Sequence, residues 1–170
     1  MGSNEIYPVY IISRVLEGIL NHAKKEAPNE VIGYLIGYKR IFKDKLYVKI
    51  IDWATGRSFS THTFAEILEE GVMDAMLFIK ERYGWKANRP RIVGIYHSHP
   101  FGVETNFSSL DLQTFHNPLF AAELNTFILI DPYIDMIRVF TFLRNEGKLQ
   151  LSEVDWCEYT PFYGEITNGK

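Results

Sequence analysis

The sequence predicts an α+β protein in which a curved mixed β-sheet is flanked by helices, and three observations carry that expectation. Two segments repeat apolar residues at helical spacing, several short β-branched and aromatic runs face each other across polar turns, and the two kinds of segment are interleaved. Purely parallel, doubly wound folds lack such hairpins, so they are disfavoured.

In chain order, Ile12, Val15, Leu16, Ile19, Leu20 and Ala23 recur at helical spacing, and Pro28 follows the basic Lys24-Lys25 end, which defines a first amphipathic helix. The period then changes. Val31 to Ile36 and Leu46 to Trp53 are apolar runs separated by the polar Lys43-Asp44-Lys45, the pattern of two paired strands. Leu68, Val72, Ala75, Met76, Ile79 and Tyr83 form a second helical stripe that must stop before Asn88 and Pro90. Arg91 to Tyr96 is β-rich and runs into His97-Ser98-His99-Pro100, after which a polar loop leads to a short third helix opened by Ser108. Two further strands, Thr126 to Ile130 and Ile137 to Leu143, precede an Asn145-Glu146-Gly147 turn and a last strand from Leu149 to Val154. No repeat or linker interrupts this order. The 170 residues read as a single domain, 1–170, with its core at about 10–155 and a C-terminal tail at 156–170.

Composition narrows the function. With 46% hydrophobic and 15% aromatic residues a packed core is assured, and a net charge of -3 without long same-sign runs lacks the footprint of a nucleic-acid binder. No nucleic acid is expected as a partner, and no membrane, because no apolar run is long enough to span one. Glu5 and Arg14 break up what could otherwise be a secretory leader, and the lone Cys157 fits a reducing compartment, so the expected location is cytoplasmic.

His97 and His99 stand two apart at a strand end, where side chains at i and i+2 share a face and both imidazoles can meet one ion. A His-x-His pair alone is more often structural, so further ligands are required. Asp111, one turn into the helix opened by Ser108, completes two histidines and a carboxylate, a set that catalytic zinc uses while keeping a fourth position open. The same Ser108-x-x-Asp111 segment also reads as a capped helix start, and the two readings are compatible. Glu30 is the candidate general base; it precedes a strand whose Gly33 and Gly37 suggest close approach of other backbone or of substrate.

Taken together, Glu30-x-x-Gly33-x-Leu35-x-Gly37, His97-Ser98-His99-Pro100 and Ser108-x-x-Asp111 resemble the JAMM metallopeptidases, the catalytically competent branch of the MPN domain family. The resemblance covers about residues 10–155 and implies a fold similar to cytidine deaminases. It further implies one Zn2+ per chain on His97, His99 and Asp111, with Glu30 as general acid/base and Ser108 as oxyanion stabiliser. It implies hydrolysis of the bond between the C-terminal tail of ubiquitin or a ubiquitin-like protein and a lysine or peptide amine. A slender extended tail could bind by adding a strand to an exposed sheet edge beside the cleft. The loop from His99 to Ser108 is one residue longer than the family usually has, which leaves Ser109 as the competitor of Ser108. The rival reading is a non-catalytic MPN-type interaction scaffold. A zinc nucleoside deaminase fails for want of a Pro-Cys-x-x-Cys motif. His22, His62 and His116 match no motif, and a homodimer or larger assembly is left open.

Overall fold

A computed structural model describes residues 6–55 and 68–161. Eight strands and three helices follow the order β1 (Val9–Ile12), α1 (Ser13–Glu26), β2 (Ile32–Phe42), β3 (Lys45–Thr55), α2 (Leu68–Tyr83), β4 (Arg91–Ser98), α3 (Ser109–Phe115), β5 (Thr126–Asp131), β6 (Met136–Asn145), β7 (Lys148–Glu153) and β8 (Trp156–Tyr159). The strands form one mixed sheet in the order β7-β6-β5-β4-β2-β3-β1-β8. β4 and β5 are parallel, as are β1 and its two neighbours; the remaining pairs are antiparallel.

Strand alternation divides the core between the two faces. Ile128 and Ile130 join Val15, Leu16 and Ile19 of α1 on one face, while Phe127 and Leu129 join Ala75 and Ile79 of α2 and Phe115 of α3 on the other. The helices therefore cover both faces, as the interleaved pattern predicted. Two of the three hairpins turn on a pair of residues with positive φ, Lys43 and Asp44 between β2 and β3 and Glu146 and Gly147 between β6 and β7. That geometry matches the twist of the flanking strands.

One expectation needs correction. The core does not end at about 155: Trp156–Tyr159 is a strand that pairs with β1, which itself lies hidden in the apolar run leading into α1. Residues 162–170, the remainder of the expected tail, lie outside the described residues, as does His62. Gly33 and Gly37 admit close neighbours, as their place in the strand suggested: a Cβ on Gly33 would run into the Tyr96 ring, and one on Gly37 into the Lys49 carbonyl. The sheet edges among the described strands are β7 and β8, at either end of the order, and His97 lies near the end of the central β4.

The Gly33 contact yields a stability prediction. Tyr96 is fully buried, and its hydroxyl pairs with His22 Nδ1 at 2.9 Å, so its ring cannot move aside without breaking that bond. Gly33→Ala should destabilise the fold by about 1–3 kcal/mol, the range for overpacking a well-filled core. Urea unfolding of the two proteins measures it.

Candidate metal centre

The register of β2 against β4 brings Glu30 and the histidines together from distant parts of the chain. Ile32 lies opposite His97, Ser98 donates its N–H to the Val31 carbonyl at 3.0 Å, and Val31 donates its own to Ser98 Oγ at 2.8 Å. Ser98 thus fastens the strand start that carries Glu30. His97 Nδ1 lies 2.9 Å from the Val31 carbonyl, which can only accept, so the ring proton sits on Nδ1 and Nε2 presents its lone pair. His99 follows the last β4 residue, yet its N–H still donates to the Ile130 carbonyl of β5 at 2.8 Å. Its Nδ1 is 3.3 Å from Thr105 Oγ1, and the two imidazole centroids are 4.8 Å apart.

Asp111 arrives from the first turn of α3. Ser108 is the N-cap: its Oγ accepts from Asp111 N–H at 3.2 Å, and its own N–H donates to Asp111 Oδ2 at 2.7 Å, a reciprocal capping box. The cap and the cluster are one arrangement, since Asp111 Oδ1 lies 3.6 Å from His97 Nε2 and Oδ2 lies 3.4 Å from His99 Nε2. Glu30 Oε2 is also 3.6 Å from His97 Nε2, and one ligand atom each of Glu30, His97 and His99 fall within 4.8 Å of one another. Two carboxylates therefore compete for the third position. They differ in setting: the Asp111 side chain is 5% exposed and fixed by its cap, while that of Glu30 is 48% exposed.

These residues fit a divalent metal. Ligands about 2.0–2.1 Å from a tetrahedral ion stand roughly 3.4 Å from each other, and the distances from Asp111 to the two imidazoles, 3.4 and 3.6 Å, match that separation. Protonation suits it too. Burial lowers the pKa of His97 to about 4, so its imidazole is neutral at pH 7. Burial alone would raise the pKa of Asp111, but the hydrogen bond with His99, attraction to His97 and the bonds from Ser108 outweigh it, and the carboxylate is held ionised. Glu30 shifts upward, mainly through burial, with the His99 charge opposing and the Asp111 charge adding to the shift.

The other titratable candidates fall elsewhere. His22 belongs to the Tyr96–Trp53 cluster beside α1, and His116 Nδ1 bonds the Leu112 carbonyl at the end of α3. Ser109 begins α3, one residue past the cap. One contributor went unread in the sequence: Asp131, fully buried at the end of β5, accepts the N–H groups of Phe101, Gly102 and Tyr133 at 3.2, 2.7 and 2.9 Å. It anchors the loop that leaves His99. Its signal was an acid closing an otherwise apolar run just before Pro132.

A mixed sheet flanked by helices, with two histidines and a carboxylate gathered where the central strands end, defines an α+β protein with a candidate transition-metal site. Comparison with known proteins gives the family. Residues 13–142 match the family of prokaryotic homologs of the JAB domain, and the chain belongs to this JAB/MPN (JAMM) family. It is similar to the 26S proteasome regulatory subunit rpn11 of Schizosaccharomyces pombe, 31% identical over 111 residues that make up 62% of this chain and 32% of that protein. It is also similar to the 26S proteasome non-ATPase regulatory subunit 14 of Drosophila melanogaster, 30% identical over 125 residues, 73% of this chain and 38% of that one. The match thus spans about a third of the length of these curated relatives. The solution structure of protein DSY2949 from Desulfitobacterium hafniense shares the fold, with a TM-score of 0.61 at 19% identity over 92% of this chain and 96% of that one. Among the described residues no helix is long and apolar enough to cross a membrane.

Proposed function

We propose that this protein is a zinc-dependent isopeptidase or peptidase that hydrolyses the bond between the C-terminal tail of ubiquitin or a ubiquitin-like modifier and a lysine or peptide amine. The observation that carries the reading is the meeting of Glu30, His97, His99 and Asp111 at one point, brought there by separate parts of the fold. The proteasomal relatives support a ubiquitin-related substrate.

In this reading His97, His99 and Asp111 hold zinc, one ion per chain. Zinc at such a site supplies Lewis acidity, which makes water nucleophilic near neutral pH and polarises a carbonyl. Glu30, half-exposed and with its pKa raised, takes the proton of the attacking water and delivers it to the leaving amine. Ser108 Oγ already accepts from Asp111 N–H, so its hydroxyl hydrogen remains free to point at the oxygen that gains charge. Phe101, Val103, Tyr133 and Ile134 are exposed on the two loops that Asp131 ties together, and they form an apolar rim for an extended tail.

Incubating the zinc-loaded protein with a panel of ubiquitin-like fusions, with cleavage sites read by mass spectrometry, tests the activity. A zinc-loaded protein that cleaves no member would favour the scaffold reading. The oxyanion role has its own test. Ser108→Ala should keep zinc and lower kcat by roughly 10²–10³, the scale for losing one oxyanion donor, and Ser109→Ala should cost little. A larger loss at Ser109 would reassign the role.

A further inference from the structure

We infer that Arg138 is a positioning residue that orients His99 through Thr105; the inference rests on the metal-site reading above. Residues 100–107 form a loop without regular structure, whose one backbone hydrogen bond among those described is Phe101 N–H to the His99 carbonyl at 2.9 Å. A segment of that kind has no ladder to fix it, yet it carries the partner of a buried imidazole. Side chains must supply the order.

They do so at both ends. Asp131 holds the start of the loop through Phe101 and Gly102. Arg138, on β6, holds the end: its Nη1 donates to the Thr105 carbonyl and to Asn106 Oδ1, both at 2.6 Å. The opposite side of the same guanidinium grips Glu153 of β7, Nε to Oε1 at 2.9 Å and Nη2 to Oε2 at 2.6 Å. Because Glu153 and Arg138 sit on neighbouring strands, the fork is fixed by the sheet before it meets the loop. Packing repeats the connection. The guanidinium lies 5.2 Å from the Phe140 ring centroid, Phe140 meets Phe107 at 5.1 Å, and Phe107 meets the His99 ring at 6.5 Å.

Thr105 is the residue where support becomes orientation. Its carbonyl is fixed by Arg138, and its hydroxyl lies 3.3 Å from His99 Nδ1. When that oxygen accepts the Nδ1 proton, Nε2 keeps its lone pair for a metal shared with Asp111, whose Oδ2 lies 3.4 Å away. Release of Arg138 frees Thr105, and the His99 ring then loses both its tautomer and its angle. Arg138 itself needs to touch neither metal nor substrate.

The test uses Arg138→Met, which keeps an apolar stem over Phe140 but removes the fork, together with Thr105→Val and the double variant. Zinc affinity is measured by competition with a chromophoric chelator, and the visible absorption of the cobalt-loaded proteins reports ligand geometry. Both single variants should weaken zinc by about 10–100-fold, the usual effect of losing a partner behind a ligand, and both should alter the cobalt spectrum. The double variant should be no weaker than the worse single one, since the two act in series. Circular dichroism checks the fold; should Arg138→Met fail to fold, Glu153→Gln, which loosens the grip on the guanidinium, should give a smaller loss of the same kind. Wild-type affinity and spectrum in a folded Arg138→Met or Glu153→Gln, or losses that add in the double variant, would overturn the inference while leaving the metal site intact. Failure of the wild type to take up zinc would instead remove the functional reading on which it rests.

Discussion

Replacement of His97 or His99 by alanine, or of Asp111 by asparagine, should strip the protein of zinc and abolish turnover while the sheet stays folded. Each residue supplies one of three ligand groups, so each loss should exceed the ~10–100-fold that a partner behind a ligand typically contributes to metal affinity. Asparagine is the informative change at position 111. Asp111 accepts the Ser108 N–H at 2.7 Å, and alanine would remove that cap bond as well as the ligand, at about 1 kcal/mol of helix stability. The asparagine oxygen preserves the cap but lacks the negative charge that binds a divalent cation. Metal analysis of the purified proteins should find one zinc in the wild type and little in any variant. A wild type that holds no zinc when supplied with it would refute the central claim. Retention by Asp111→Asn alone would move the third ligand to Glu30, which is as close to His97 Nε2 as Asp111 is.

The sequence was most informative where a single period governs a long segment. The stripes of α1 and α2 were legible because each is decided by one buried face, and β5 because it is a short apolar run, buried on both faces. Two short strands were not. Val9–Ile12 passes into α1 without a Gly or Pro to mark the change, and Trp156–Tyr159 pairs with β1, at the far end of the chain, with Val9 opposite Trp156. Pairing over such a separation leaves no local pattern. The candidate site shows the same division. Its chemistry could be named from spacing, because His97 and His99 share a strand end and Ser108 and Asp111 share a helical turn. What holds those groups could not: the bond from Ser98 to Val31, the burial of Asp131 beneath Gly102 and the fork of Arg138 on Thr105 all depend on register between strands distant in sequence. Phe107 makes the point for the longer loop. It stands where the usual family spacing would put the serine, and it is buried against Phe115 and Phe140, so the extra residue is absorbed before α3 begins.

Glu30→Gln should leave zinc bound and the fold intact while turnover falls by about 10²–10⁴, the usual contribution of general acid–base catalysis. Glutamine matches the side chain in size and can still face His97 Nε2, so neither β2 nor the imidazole cluster loses packing. The loss is the ability to take up a proton. Glu30 is well placed to move one, because burial raises its pKa and brings the carboxylate closer to the neutral range, where proton transfer in both directions is efficient. Its half-exposed side chain can also reach water. Asp111 cannot substitute, because its oxygens are engaged with Ser108 and the two histidines and its pKa is shifted down. Turnover and zinc content measured on one Glu30→Gln preparation decide the outcome. Full zinc with turnover reduced by about a hundredfold or more is the expected result. Loss of zinc would make Glu30 a ligand, and near-normal turnover would send the search for the base to Glu104, in the loop that follows the histidines.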